Sequence, residues 1–159
     1  MLRFNSNGLL VPDHNIKSNV NELEDIFVKS IKTNKRIELF SNYINYSNSL
    51  KELCNDVNLI QWIDGSFVTQ KAEPKDVDLV TFIDFEIDKE LGDKLINYKY
   101  PASKNLFRVD AYLVRLYPKG HKYYSIYESD RAYWMDHFNK TRRNRIGNKL
   151  PKGFLEINL

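Results

Sequence analysis

A single cysteine, six glycines and five prolines are spread over 159 residues. Cys54 has no partner for an internal disulfide, and its place in an apolar helical pattern reads as a small buried hydrophobe rather than a reactive thiol. So little glycine and proline excludes collagen-like, linker and low-complexity architectures. No stretch approaches the ~18 apolar residues that a membrane span needs, and the opening MLRFNSNGLLVPDHN holds no uninterrupted apolar core of signal-peptide length. The expectation is a protein with no membrane span and no visible export signal, working in a reducing cytoplasm. No Walker-type loop or Gly-x-Ser-x-Gly elbow is present. His14, His121 and His137 are scattered, with no carboxylate or cysteine at ligand spacing, and read as surface or capping residues.

What is there is the material of a globular core. Hydrophobic residues make up 42% of the chain and aromatic residues 13%, enough for one self-sufficient domain of this length. The expected parse is one domain over residues 1–159, with a helical pair in 1–57, a sheet core in 58–117, and a helix, basic stretch and strand in 118–159. Asn19 with Glu22 three residues on reads as a capping box before Val20, Leu23, Phe27 and Ile31 at helical spacing. A second helix carries Ile37, Phe40, Ile44, Leu50 and Leu53 on one face.

From Leu59 the run LIQWID reads as a buried strand that stops at Gly65-Ser66. DVDLVTFI, residues 76 to 83, reads as a second strand, an exposed helix is expected around Lys89 to Asn97, and LFRVDAYLV, from Leu106 to Val114, reads as a third strand. There Phe107, Val109, Ala111 and Leu113 share one face, while Arg108, Asp110 and Tyr112 share the other. Residues 122 to 139 carry a helical aromatic pattern (Tyr123, Ile126, Tyr127, Trp134, Phe138) that reads as core. In the closing GFLEINL, Phe154, Glu156 and Asn158 alternate with Leu155, Ile157 and Leu159 as in a half-buried strand. The expected fold class is α/β or α+β, a small mixed sheet flanked by helices.

Chemistry concentrates in the middle of the chain. Asp76 and Asp78, two apart on a strand, project the same way, and such close like charges need a cation, a shared proton or full solvation. If Asp110 on a neighbouring strand turns to the same side, the oxygen-only cluster suits Mg²⁺ or Mn²⁺ and not zinc. Gly65 would let a backbone approach a phosphate, and the Ser66 hydroxyl could donate to it. Asp64, just before them, would either repel that anion or pair with Lys71 or Arg108.

The run G65-S66-F-V-T-Q-K-A-E-P-K-D76-V-D78-L-V resembles the signature of the DNA polymerase beta nucleotidyltransferase superfamily. That signature is a hydrophobic residue, Gly, then Gly or Ser, a loop, and Asp-hydrophobic-Asp-hydrophobic on a strand. Ile63, Val77 and Leu79 suit the pattern, and Asp110 in FRVDAYLV matches the third carboxylate. The resemblance covers roughly residues 59 to 114, and the short single-domain form looks like the minimal enzymes of microbial toxin–antitoxin and defence systems. It implies a nucleotidyltransferase-like fold, a divalent metal on Asp76, Asp78 and Asp110, and a nucleoside triphosphate held at Gly65 and Ser66. The implied reaction moves a nucleoside monophosphate to a hydroxyl on a protein, an RNA or a small molecule. The alternative is a catalytically silent binding module of the same fold.

The formal charge of +3 does not itself imply nucleic-acid binding. Lys140, Arg142, Arg143, Arg145, Lys149 and Lys152 nevertheless share one stretch free of Asp and Glu. That stretch is either a solvated face or an anion-binding patch, and in the second case an RNA or another phosphate-bearing acceptor is favoured.

Overall fold

The computed structural model describes residues 2–159. Strands β1 (Arg3–Phe4) and β2 (Leu10–Val11) form a small hairpin, and β3 (Asn15–Ser18) enters the main sheet. Helix α1 (Val20–Glu24) runs into a π-helical turn over Asp25–Lys29, and α2 (Asn34–Leu53) follows. Then come β4 (Ile60–Asp64), a 3-10 turn over Ser66–Val68, β5 (Asp78–Asp84), α3 (Phe85–Leu91) and a 3-10 run over Gly92–Tyr98. Helix α4 (Ala102–Phe107), β6 (Asp110–Leu116), α5 (Tyr124–Phe138) and β7 (Phe154–Asn158) complete the order.

The fold is α+β, a five-stranded mixed sheet in the order β3-β7-β4-β5-β6 flanked by helices. β3 runs parallel to β7 and β5 parallel to β6, while β7–β4 and β4–β5 are antiparallel. Strand side chains alternate, so the sheet has two distinct faces. Ile63, Leu79, Ile83, Ala111, Leu155 and Ile157 lie in the larger core with Leu23 and Phe27 of the first helical segment and Leu39, Tyr43, Tyr46 and Leu50 of α2. On the opposite face, Trp62, Val80, Phe82, Val114 and Phe154 form a smaller core with Phe138 of α5. Full burial of each such side chain is worth about 1.5–3 kcal/mol, which is what holds both layers to the sheet.

Several elements form where the sequence pattern puts them. Asn19 caps α1 by accepting from the Glu22 N–H at 2.9 Å. Cys54 is buried. Other boundaries differ for local reasons. The third strand begins at Asp110, because Ala102–Phe107 is helical and Arg108 ends that helix with φ 63°, in the left-handed region. The second strand begins at Asp78, so Asp76 lies in the loop before it. The helix placed around Lys89 to Asn97 starts at Phe85, because Asp84 caps it through the Glu86 N–H at 2.8 Å, and Gly92–Tyr98 tightens to 3-10 geometry.

In α2, Leu50 is buried and Phe40, Ile44 and Leu53 pack against the larger core, whereas Ile37 is 55% exposed; Arg36, Leu39, Tyr43, Tyr46 and Ser47 are buried as well. The aromatic pattern of α5 is core only in part. Phe138 is buried and Tyr127 and Trp134 pack against the smaller core, whereas Tyr123 and Ile126 stand exposed. The opening of the chain holds three short strands, and β3 covers the outer edge of β7. Among the described residues no helix is long and apolar enough to cross a membrane.

Candidate active site

The register of the sheet brings the central carboxylates into one row. Asp64 at the end of β4 is the cross-strand partner of Asp78 at the start of β5, and Asp78 is in turn the partner of Asp110 at the start of β6. Directly paired residues on neighbouring strands project to the same face, here the face of the smaller core. Asp76 joins from the loop, near enough for its charge to act on Asp78. Burial, with Asp76, Asp64 and Asp110 adding to it and Arg142 opposing, pushes the Asp78 carboxyl up to about 7.

Cations already answer part of this charge. Lys104 of α4 places its ammonium 3.1 Å from Asp110 and 4.0 Å from Asp76. The Oδ1 atom of Asp110 is buried and makes no hydrogen bond, Lys104 donating to Oδ2. The buried Lys152 donates to the buried Asp64 in a tight ion pair. Asp64 therefore pairs with neither Lys71 nor Arg108. Its carboxyl is raised by burial, with Lys152 pulling the other way. As they stand, no three carboxylate, imidazole or thiol groups among the described residues are drawn close enough to hold a metal.

Gly65 makes the turn possible. Its backbone sits at φ 84° and ψ −168°, a region essentially reserved for glycine, and a Cβ there would run into the Asp78 carboxylate. Ser66 opens the 3-10 turn, and its Oγ accepts from the Lys75 N–H at 3.4 Å. The loop beyond is held by Arg36, a buried side chain that donates to the carbonyls of Phe27 at 2.8 Å, Phe67 at 2.7 Å, Thr69 at 2.6 Å and Lys71 at 2.5 Å. Burial lowers the Arg36 guanidinium to about 10. The β1–β2 hairpin leans on the same loop through the Gln70 N–H, which donates to the Gly8 carbonyl at 2.9 Å.

These pieces enclose a cleft of about 810 Å³. Asp64, Gly65, Ser66, Asp76 and Asp78 form one wall, and Lys140, Arg142, Lys149 and Lys152 of the basic stretch another. Lys71 and Lys75 stand in the loop between them. A second hollow of about 620 Å³ shares Lys75 and Asp76 and includes Lys104 and Arg108. The structure thus brings together Gly65, Ser66, Asp76 and Asp78 in the cleft, with Asp110 beside Asp78 on the next strand. It also turns much of the basic stretch toward them. His137, read by sequence as a surface residue, is exposed and borders the cleft, while His14 and His121 bond only to nearby backbone.

The chain belongs to DUF6932, a family of unknown function whose model matches residues 2–158. No curated protein and no solved structure matches the chain.

Three residues of this site carry no motif. Arg36 lies in the first turn of α2 beside Asn34 and Lys35, and only its complete burial marks it. Lys104 precedes the strand expected from Leu106, in a stretch where no element is expected from the sequence, and only the last two residues of its helix, Leu106 and Phe107, fall in that expected strand. Lys152 was grouped with the exposed basic residues, although the sequence Pro151-Lys152-Gly153 leads directly into β7 and so into the sheet.

Proposed function

We propose that this protein is a metal-dependent nucleotidyltransferase. The observation that carries the reading is the row Asp64–Asp78–Asp110 across three neighbouring strands, with Gly65 closed against Asp78 and Asp76 two residues before it. That arrangement fits the resemblance of residues 59 to 114 to the polymerase beta superfamily. The oxygen-only donors Asp76, Asp78 and Asp110 suit Mg²⁺ or Mn²⁺. The Lys104 ammonium between Asp76 and Asp110 occupies the kind of position in which a cation is favoured. A divalent cation held there would neutralise triphosphate charge and assist departure of pyrophosphate.

The chain's own groups then have defined tasks. The backbone at Gly65 and the Ser66 hydroxyl hold phosphate oxygens in the cleft, and Lys71 and Lys75 balance their charge. Arg36 keeps the loop in one shape before substrate arrives, so little ordering remains to be done on binding. Asp78, whose affinity for protons is raised by burial and by the neighbouring carboxylates, would have to release its proton for a divalent cation brought with the substrate to be held there. Asp110, beside Asp78 on the next strand, would receive the proton of the acceptor hydroxyl as its oxygen attacks the α-phosphorus and pyrophosphate leaves.

Incubation with labelled ATP, GTP, CTP or UTP, Mg²⁺ and cell extract should label an RNA, a protein or a small molecule. Asp76→Asn and Asp78→Asn should abolish the label. A second reading is favoured by the cations already seated on Asp64 and Asp110: a nucleotidyltransferase-fold binding module in which Lys104 and Lys152 have taken the metal's place. It predicts no labelling with any nucleotide and no response to metal.

A further inference from the structure

The basic stretch is a built arm. The Thr141 N–H donates to the Leu150 carbonyl at 2.8 Å, and the Leu150 N–H returns to Thr141 Oγ1 at 2.9 Å. At the tip, Asn144 Oδ1 accepts from the Ile146 N–H at 3.1 Å and the Asn148 N–H at 2.9 Å, and Arg143 donates to the Gly147 carbonyl at 2.9 Å. A turn secured by its own side chains holds Arg145 and Lys149 out in solvent and Arg142 at the cleft beside Asp78. No acidic residue lies between Lys140 and Lys152.

An aromatic strip starts at the other side of the same carboxylates. Tyr100 stacks on Tyr112 at 5.8 Å, two residues along β6 from Asp110, and Tyr112 meets Trp134 at 4.6 Å. Trp134 contacts Tyr133, and Tyr133 stacks on His137 with ring planes 10° apart. His137 is already at the cleft wall. Tyr112 and Trp134 also pack against the smaller core, but the two outer rings stand open, Tyr133 being 61% and Tyr100 47% exposed.

We infer that the basic arm and this strip form a track for single-stranded RNA, whose end is the acceptor at the carboxylate row. Lysines and arginines that follow a backbone, combined with open ring faces on which bases stack, are what single strands require; a duplex hides its base faces, and an acidic peptide has none. The role as acceptor rests on the transferase reading, but binding does not need transfer. The two can therefore fail separately.

The test is fluorescence anisotropy of a labelled single-stranded RNA oligonucleotide, in EDTA, over a series of salt concentrations. Binding should weaken steeply with salt, and a duplex RNA and polyglutamate should each bind at least tenfold more weakly. The variant with Arg142→Ala, Arg145→Ala and Lys149→Ala should lose about two units of the slope of log Kd against log salt, at roughly 0.7 per phosphate contact on a single strand. Tyr133→Ala should weaken binding about tenfold with the slope kept, and Tyr133→Phe should bind like wild type. Circular dichroism checks that these exposed substitutions leave the fold intact. Equal binding of duplex or polyglutamate would overturn the inference, and so would wild-type affinity in both the triple variant and Tyr133→Ala. Labelling of a protein or small molecule by a chain that binds no RNA would overturn it while leaving the transferase reading in place; RNA binding without any labelling would do the reverse.

Discussion

The ammonium of Lys152 is buried against the carboxylate of Asp64, joining the strand that ends at the Gly-Ser turn to the residue that leads into β7. Neither charge has water to fall back on, so removing one partner leaves the other stranded. Lys152→Met should cost about 3–5 kcal/mol in urea unfolding at pH 8. The loss should shrink toward pH 5, because an unpartnered Asp64 escapes by taking up a proton. Adding Asp64→Asn should recover most of the stability. A Lys152→Met protein as stable as wild type would show that this pair is not an organising contact.

Gly65 and Asp78 should behave as one unit. Gly65→Ala meets both the forbidden backbone region and the Asp78 carboxylate, so a loss of about 1–3 kcal/mol is expected. Asp78→Ala removes the obstructing oxygens, and in a double-mutant cycle the second substitution should relieve part of the first. Strict additivity would mean that the close approach of Gly65 to Asp78 carries no energetic weight.

Arg36→Met would leave the carbonyls of Phe27, Phe67, Thr69 and Lys71 without their shared donor. Hydrogen bonds from a charged group are each worth about 1.5–3 kcal/mol, so a loss of at least 3 kcal/mol is expected. Hydrogen exchange in residues 66–72 should quicken well before the sheet strands do. Arg36→Lys should not rescue, since one ammonium cannot match the fork of a guanidinium. Unchanged exchange in that loop would contradict its dependence on Arg36.

The pH dependence follows from Asp78, whose carboxyl is raised from 3.8 in the unfolded reference to about 7. Between those values the folded state holds a proton that the unfolded state has lost, so folded stability falls as pH rises and levels off above about 7. In EDTA, the melting temperature of wild type relative to Asp78→Asn should decline from pH 5 to pH 8. A divalent metal with nucleoside triphosphate should raise the wild-type value, by an amount equivalent to about 2.7 kcal/mol at a hundredfold excess over Kd, and leave Asp78→Asn unmoved. Parallel curves and no metal response in either protein would remove the main support for catalysis.

How far the sequence alone reaches depends on which residues speak locally. Alternation and the Asp-x-Asp spacing placed Asp78 and Asp110 on strands, and the structure makes those strands neighbours in register. Gly65-Ser66 was legible because glycine marks backbone that other residues cannot adopt. Lys152 was not, since nothing local separates a lysine destined for burial from its exposed neighbours; its partner lies 88 positions away. Arg36 was hidden for the same reason, its acceptors being backbone carbonyls that no pattern of side chains reveals. The α4 segment misled because Leu106 and Phe107 continue the apolar texture of β6, and only Val109 and the left-handed Arg108 separate them.

The position of β7 has a consequence for how the molecule is made. β7 lies between β3 and β4, and more than a hundred residues separate the two strands of the β3–β7 pair. While a ribosome is still delivering residues 118–152, β4, β5 and β6 can already assemble, but β4 presents a bare edge and Trp62 lacks Phe154. An open edge beside exposed aromatic surface invites pairing with other nascent chains. The sheet closes only when Phe154–Asn158 slides into the gap, and the same movement delivers Lys152 to Asp64. Completion of the fold and completion of the candidate site are thus one event, and it comes after β4, β5 and β6 have been made.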